Sequence, residues 1–248
     1  MANPLDHRIR VAALRREEMQ LHLLLSGLEL ASAHSIHALE VEDVVRQAGV
    51  SRGTFYKYFP SIPGLYGALS RQLMLEVAAM MDDLVPHGVD AATRLASTIR
   101  ISLRLFVDVP MLGRFFRQIQ WPSQGDDHDI FHVIVRDVQA GIREGVFTNM
   151  PVSIGASIAI GSLMGGVHTL LVEGDQAGFE DSVAHQVLIG LGVDAASASH
   201  VSRRALPCRP LGVAPGILGK LAEMGVLHAG GPQQVSRRQR GGSGKGRP

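Results

Sequence analysis

Between Ser51 and Tyr58 the chain carries side chains suited to a polyanion: Ser51, Arg52, Gly53, Thr54, Tyr56, Lys57 and Tyr58, with Arg46 shortly before them. Their hydroxyl and cationic donors can hold phosphate oxygens, a threonine methyl can meet thymine, and arginine can read a guanine edge. A second arrangement, Asp126-Asp127-His128-Asp129-Ile130-Phe131-His132, sets His128 and His132 four residues apart, where two helical histidines share a face at a spacing that suits a metal. The same acids are what a helix dipole favours at a helix start, and no third ligand is identifiable. His132 therefore reads better as a pocket residue, and no metal or cofactor is expected.

A third set is apolar. Phe106, Met111, Phe115, Trp121, Phe131 and Met164, with His132 and His168 as polar members, are candidates for the wall of a cleft between helices, where small apolar or aromatic ligands bind. Phe115 and Phe116 are adjacent, so they point in different directions and only one can serve a given wall.

Helices must place these residues. Apolar positions recur every three or four residues and strict alternation is missing, which predicts an all-α body. Leu21, Leu24, Leu25 and Leu28 share one face of a first helix, and Val41, Val44, Val45 and Ala48 mark a short second one whose acids sit in its first turn. Gly49 ends it, and Ser51 is the N-cap candidate for a further short helix, Arg52 to Tyr58. On that helix Phe55 and Phe59 lie one turn apart and should face the core, leaving Arg52, Thr54, Tyr56 and Lys57 to point elsewhere. Leu65, Leu69, Leu73, Val77, Met80 and Leu84 stripe a longer helix stopped by Pro86 and Gly88. Helical patterns follow over about 89–108, 111–121, 127–145, 151–173 and 177–192.

Composition bounds the alternatives. With 46% hydrophobic and 19% charged residues, the chain is neither collagen-like, coiled-coil nor wholly disordered. Its single cysteine, Cys208, excludes an intramolecular disulfide and a zinc site built on paired cysteines, so a reducing cytosol is expected. Residues 203–248 hold nine bases and one acid, whereas residues 1–202 hold fifteen bases against twenty-two acids. The body is thus too acidic to bind nucleic acid by bulk charge, and any such binding rests on a local site. The tail is basic and rich in glycine and proline, the composition of a disordered segment, with a short amphipathic turn or two possible around Ile217 to Leu227. Met1 to Arg16 carries four arginines and no apolar core of a signal peptide.

The 23 residues from Met150 to Val172 are uncharged, long enough to span a bilayer. Four glycines and several polar residues keep that stretch only modestly hydrophobic, so a helix buried at an interface is preferred. Ser157, Gly161 and Gly165 place a small residue every fourth position on one face, which suits close approach across a dimer interface.

The segment Gly49-Val50-Ser51-Arg52-Gly53-Thr54-Phe55-Tyr56-Lys57-Tyr58-Phe59-Pro60-Ser61 resembles the turn and recognition helix of the TetR-like transcriptional regulators, with Gly27-Leu28-Glu29-Leu30-Ala31 and Val41-Glu42-Asp43-Val44 at the matching spacing upstream. The close match covers about fifty residues. The chain departs from the pattern at Ser35, at Leu39, where the family usually carries a hydroxyl that caps the second helix, and at Ile62-Pro63, where it carries a lysine followed by an acid. The N-terminal Arg8, Arg10, Arg15 and Arg16 could make up the missing backbone contacts.

The resemblance implies an N-terminal three-helix helix-turn-helix domain, residues 1–85 including a linking helix, then a helical ligand-binding and dimerisation domain over 86–200 and a basic tail over 201–248. It implies a cytoplasmic repressor rather than an enzyme, a homodimer on a double-stranded palindromic operator, responsive to a small apolar or aromatic ligand. The rival readings are a membrane-anchored helical protein using 150–172 and, further behind, a metal-dependent hydrolase around His128 and His132.

Overall fold

The computed structural model describes residues 4–85, 88–118, 131–204, 206 and 216–226, and among these every regular element is helical. The head comprises α1 (Pro4–Ala33), a 3-10 turn (Ile36–Ala38), α2 (Val41–Ala48) and α3 (Arg52–Tyr56), followed by the long α4 (Ile62–Leu84). The body comprises α5 (Ala91–Asp108), α6 (Pro110–Gln118), α7 (His132–Arg143), α8 (Val152–Glu173), α9 (Phe179–Gly190) and α10 (Ala195–Arg203). A last helix, α11, runs over Ile217–Glu223.

Local chemistry sets the helix starts. Asp90 caps α5 by accepting from the Thr93 amide at 2.9 Å, and Asp194 caps α10 by accepting from Ala196 and Ser197. Helix α5 is the axis of the body: thirteen of its eighteen residues are buried, and α6 to α10 pack around it. Ion pairs tie it to α9, with Arg100 2.6 Å from Asp181 and Arg104 engaging Asp175 and Glu180.

Three findings add to the sequence reading. The first helix begins at Pro4, so Arg8, Arg10, Arg15 and Arg16 stand exposed on one continuous α-helix. Helix α10 carries no long apolar stripe and was invisible to periodicity; it buries only Ala198 and Ser202. The short amphipathic segment allowed around Ile217 to Leu227 is α11, which buries Ile217, Leu218 and Leu221 against α4 and α1. The Glu76 carboxylate of α4 accepts from the amides of Ile217 (2.9 Å) and Leu218 (2.7 Å), satisfying two donors that a helix start leaves open. This contact joins residues more than a hundred positions apart, which no local pattern can announce.

Helix α8 contains the uncharged stretch and is the one described helix long and apolar enough to cross a membrane. It lies instead in the bundle, with Gly155, Ala159, Leu163, Gly166 and Leu170 buried against its neighbours. A Cβ on Gly155 would collide with Val138, and one on Gly166 with Leu103, so these glycines permit close helix approach. Packing accounts for the buried face of α8.

Candidate nucleic-acid interface

The turn between α2 and α3 is built from a handful of local bonds. Gly49 adopts φ 64°, the left-handed region that favours glycine, and lets the Val50 amide reach back to the Val45 carbonyl at 3.0 Å. Ser51 then opens α3: its Oγ accepts from the Thr54 amide at 3.1 Å and lies 3.0 Å from Thr54 Oγ1. The missing hydroxyl at Leu39 is replaced one residue later. Glu40 and Asp43 form a capping box in which each side chain accepts from the other's backbone amide, and Leu39 is left to pack against the core. Ser61 caps α4 through the Gly64 amide, a role that survives the Ile62-Pro63 departure.

On α3, Phe55 and Phe59 are buried with ring centroids 6.0 Å apart, anchoring the helix to the head. Arg52, Gly53, Tyr56 and Lys57 are exposed, Thr54 and Tyr58 are half-buried, and Tyr56 keeps 49% of its surface open to solvent. A large aromatic held out in water beside a lysine is unexplained by packing and suits a contact surface. Arg46 stands exposed on α2, 3.4 Å from Asp43.

Arg52 has partners that its sequence position did not reveal. Its guanidinium lies 3.2 Å from Glu42, and hydrogen bonding to Tyr56, then the charge of Glu42, holds its pKa above the usual arginine value. Glu42 thus pre-positions Arg52, and DNA phosphates would compete with it. The exposed ends of Ser51, Arg52, Thr54, Tyr56 and Lys57 all fall on the short stretch after Gly49, which can lie in a groove while Phe55 holds it from behind.

The head is fastened to the body at two places. Helix α4 crosses between them, with the Tyr66 hydroxyl donating to the Gly27 carbonyl at 3.3 Å and burial pushing that phenol well above its ordinary pKa. Helix α6 supplies Gln118, whose amide nitrogen donates to the carbonyls of Ala31 and His34 and whose oxygen accepts from the Ile36 amide at 2.9 Å.

Inside the body a cavity of about 40 Å³ opens between α4, α5, α6, α7 and α8. It brings together Phe106, Phe131 and Met164 of the expected pocket set. Met111, Phe115, His132 and His168 are not among its lining residues: Phe115 turns toward Tyr66, and His132 and His168 are exposed. Trp121 and His128 lie outside the described residues. Of the adjacent pair Phe115 and Phe116 it is Phe116 that lines the cavity, and sequence reasoning missed Thr98 and Ser102, together with Met74 and Met81 of α4. The signal for the hydroxyls was available, since Thr98 and Ser102 stand one turn apart on the most apolar face of α5. Among the described residues no group of three His, Cys, Asp or Glu side chains is placed to hold a metal.

An all-helical chain with a helix-turn-helix head, a basic and hydroxyl-rich recognition helix and a hollow helical body is, by fold and site, a DNA-binding transcriptional regulator with a separate ligand-type domain. The family model for bacterial regulatory proteins of the tetR family matches residues 23–69, and the tetracyclin repressor-like C-terminal domain matches 90–204. The chain belongs to the TetR family. It is 28% identical over 121 residues to the uncharacterized HTH-type transcriptional regulator Rv1255c of Mycobacterium tuberculosis, covering 45% of this chain and 56% of that protein. It is 29% identical over 98 residues to the HTH-type transcriptional regulator RutR of Escherichia coli, covering 38% and 44%. The chain thus spans about half the length of the curated relatives it matches. Among solved structures it is similar to RolR in complex with resorcinol, with TM-score 0.60 and 24% identity over 79% of this chain and 98% of that one.

Proposed function

We propose that this chain is a ligand-responsive repressor that acts in the cytoplasm as a dimer on a palindromic operator. The observation that carries the reading is the split of α3 and the turn after it, with Phe55 and Phe59 buried while Tyr56 and Lys57 are exposed on the face that a major groove would receive. Phosphate contacts from Ser51, Thr54, Lys57 and Arg46 would set the register, and Arg52 and Tyr56 would reach base edges. Arg8, Arg10, Arg15 and Arg16 on the exposed half of α1 would add backbone contacts.

The open face of α8 supports the dimer. Ile154, Ser157, Gly161, Gly165, His168 and Val172 recur every three or four residues, all exposed, and a Cβ at Gly161 or Gly165 would meet nothing within 4 Å. A second copy laid on this stripe could approach closely and would bury the apolar Ile154 and Val172.

The ligand response follows from the cavity's place against α4. A molecule that enlarges it presses on Met74, Val77, Ala78 and Met81, on the helix that carries the head. The shift would alter the separation of the two recognition helices, and half-sites one turn apart tolerate little change. RolR is described with resorcinol bound, which agrees with a small ring compound as effector. The test is to sequence genomic fragments retained by the purified protein: an inverted repeat enriched over input supports the reading, and retention without any shared sequence refutes it.

A further inference from the structure

Four helical hydroxyls among the described residues satisfy themselves on the preceding turn. Ser26 donates to the His22 carbonyl, Ser97 to Thr93, Ser157 to Ser153 and Ser182 to Gly178, at 2.7–3.0 Å. Thr98 and Ser102 are exceptions. Both are more than nine-tenths buried, they lie one turn apart on α5, both line the cavity, and neither hydroxyl has a hydrogen-bond partner among the described residues. The fully enclosed side-chain oxygens without a hydrogen-bond partner among the described residues are Asp82 Oδ1 and Asp137 Oδ2, so the hydroxyls of Thr98 and Ser102 keep a little surface open to the hollow, where a polar group could meet them.

The rest of the lining defines what could pair with them. Phe106, Phe116 and Phe131 supply ring faces and edges, with Phe106 and Phe116 in edge-to-face contact at 4.9 Å. Met74, Met81 and Met164 supply long, unbranched side chains that re-pack at low cost, which matters because 40 Å³ is too small for a ring without adjustment. None of the described lining residues is ionisable. Charge begins only one turn further along three helices, where Arg94 precedes Thr98, Asp82 follows Ala78 and Asp137 follows Val133. There Asp137 sits 3.7 Å from Arg94 and 3.1 Å from Arg136, with its Oδ2 unpartnered.

We propose that the cavity takes a compact, uncharged ring compound whose hydroxyl or carbonyl edge is read by the paired hydroxyls of Thr98 and Ser102. The inference deepens the ligand-responsive reading above and rests on it. Each hydroxyl can donate or accept, so the pair accommodates either polar group, whereas a carboxylate would meet no cation among the described lining residues. A site built this way rejects an isostere that cannot hydrogen-bond, because filling the hollow then shuts both hydroxyls away from any partner.

Phenol and toluene, which differ only as hydroxyl from methyl, make the test, with benzoate as the charged probe. Calorimetric titration of the full-length parent is expected to show phenol binding at least tenfold more tightly than toluene, and no binding of benzoate. In Thr98→Val/Ser102→Ala the preference for phenol should collapse to within about threefold while toluene binding is kept or improved, which also reports an intact cavity. Equal affinity of the parent for phenol and toluene, binding of neither, or an undiminished preference in the variant overturns the proposal. The parent comparison stands even if the variant does not fold. Release of retained DNA fragments is scored separately by gel shift: phenol that binds through Thr98 and Ser102 but releases no DNA leaves the site chemistry standing and removes the regulatory reading.

Discussion

Phe115 of α6 stacks toward Tyr66 of α4 with ring centroids 6.3 Å apart, while its neighbour Phe116 turns the other way to line the cavity. One short helix therefore touches the hollow with one side chain and the head's anchoring helix with the next. Gln118, half a turn further on, binds the end of α1 and the 3-10 turn directly. Gln118→Ala removes all three of these bonds and should lower stability by about 1–2 kcal/mol. It should also loosen the head, raising hydrogen exchange at the amides of Ile36 and its neighbours; unchanged exchange there would show that α6 does not hold the head.

Recognition should depend on the exposed face of α3. Tyr56→Ala and Lys57→Ala are each expected to weaken binding to the retained operator by about 1–3 kcal/mol, with unfolding midpoints near the parent's because neither side chain is buried. Lys57→Ala should in addition flatten the salt dependence by about one phosphate contact. Gel-shift titration over a salt series measures both.

The dimer rests on the open stripe of α8. Gly165→Glu places a charge where a Cβ meets nothing in the single chain, so the fold should be unaffected while association is lost. Light scattering at micromolar concentration should give a dimer mass for the parent and a monomer mass for the variant; a monomeric parent would exclude this interface.

Asp137 gives the stability a distinctive pH dependence. Burial, opposed by the charges of Arg136 and Arg94, pushes its carboxyl up from 3.8 to about 6. The folded state then holds this proton more tightly than the unfolded chain does. Its stabilising contribution is complete below about pH 4 and is lost as pH rises through about 6. Asp90 and Asp194, whose hydrogen bonds lower their pKa values, act in the opposite sense, stabilising above the ordinary carboxylate range and losing that effect as pH falls. Asp137→Asn should therefore remove a fall of roughly 2–3 kcal/mol between pH 4 and 6 relative to the parent. Denaturant unfolding of both proteins across that window checks the difference curve.

The Glu76 cap should control whether α11 stays docked. Glu76→Ala removes both acceptors for the Ile217 and Leu218 amides and is expected to cost about 1–2 kcal/mol. Lys220 then becomes an early tryptic site under limited proteolysis, while cleavage within the body is unchanged. Equal protection of Lys220 in parent and variant would show that apolar packing of Ile217, Leu218 and Leu221 alone holds the helix.

Much of what is decided within a few residues was legible in the sequence, although the Glu40–Asp43 capping box and the Asp194 cap of α10 went unread. Gly49, Ser51, Phe55 and Phe59 define the turn and the orientation of α3 because caps, left-handed glycines and the helical repeat act over one or two turns. The small-residue face of α8 and the helical class of the whole body follow from the same periodicity. The tertiary structure decided what depends on side chains brought together from distant helices. It chose Phe116 over Phe115 for the cavity and left Thr98 and Ser102 unpaired beside it. It also joined Arg52 to Glu42, and bound Glu76 to a short helix 141 positions away, whose docking place no local pattern announces. The physical reason is that a residue's type and spacing determine which face of its own helix it occupies. What that face meets depends on the crossing of helices, which is set by packing across the whole core.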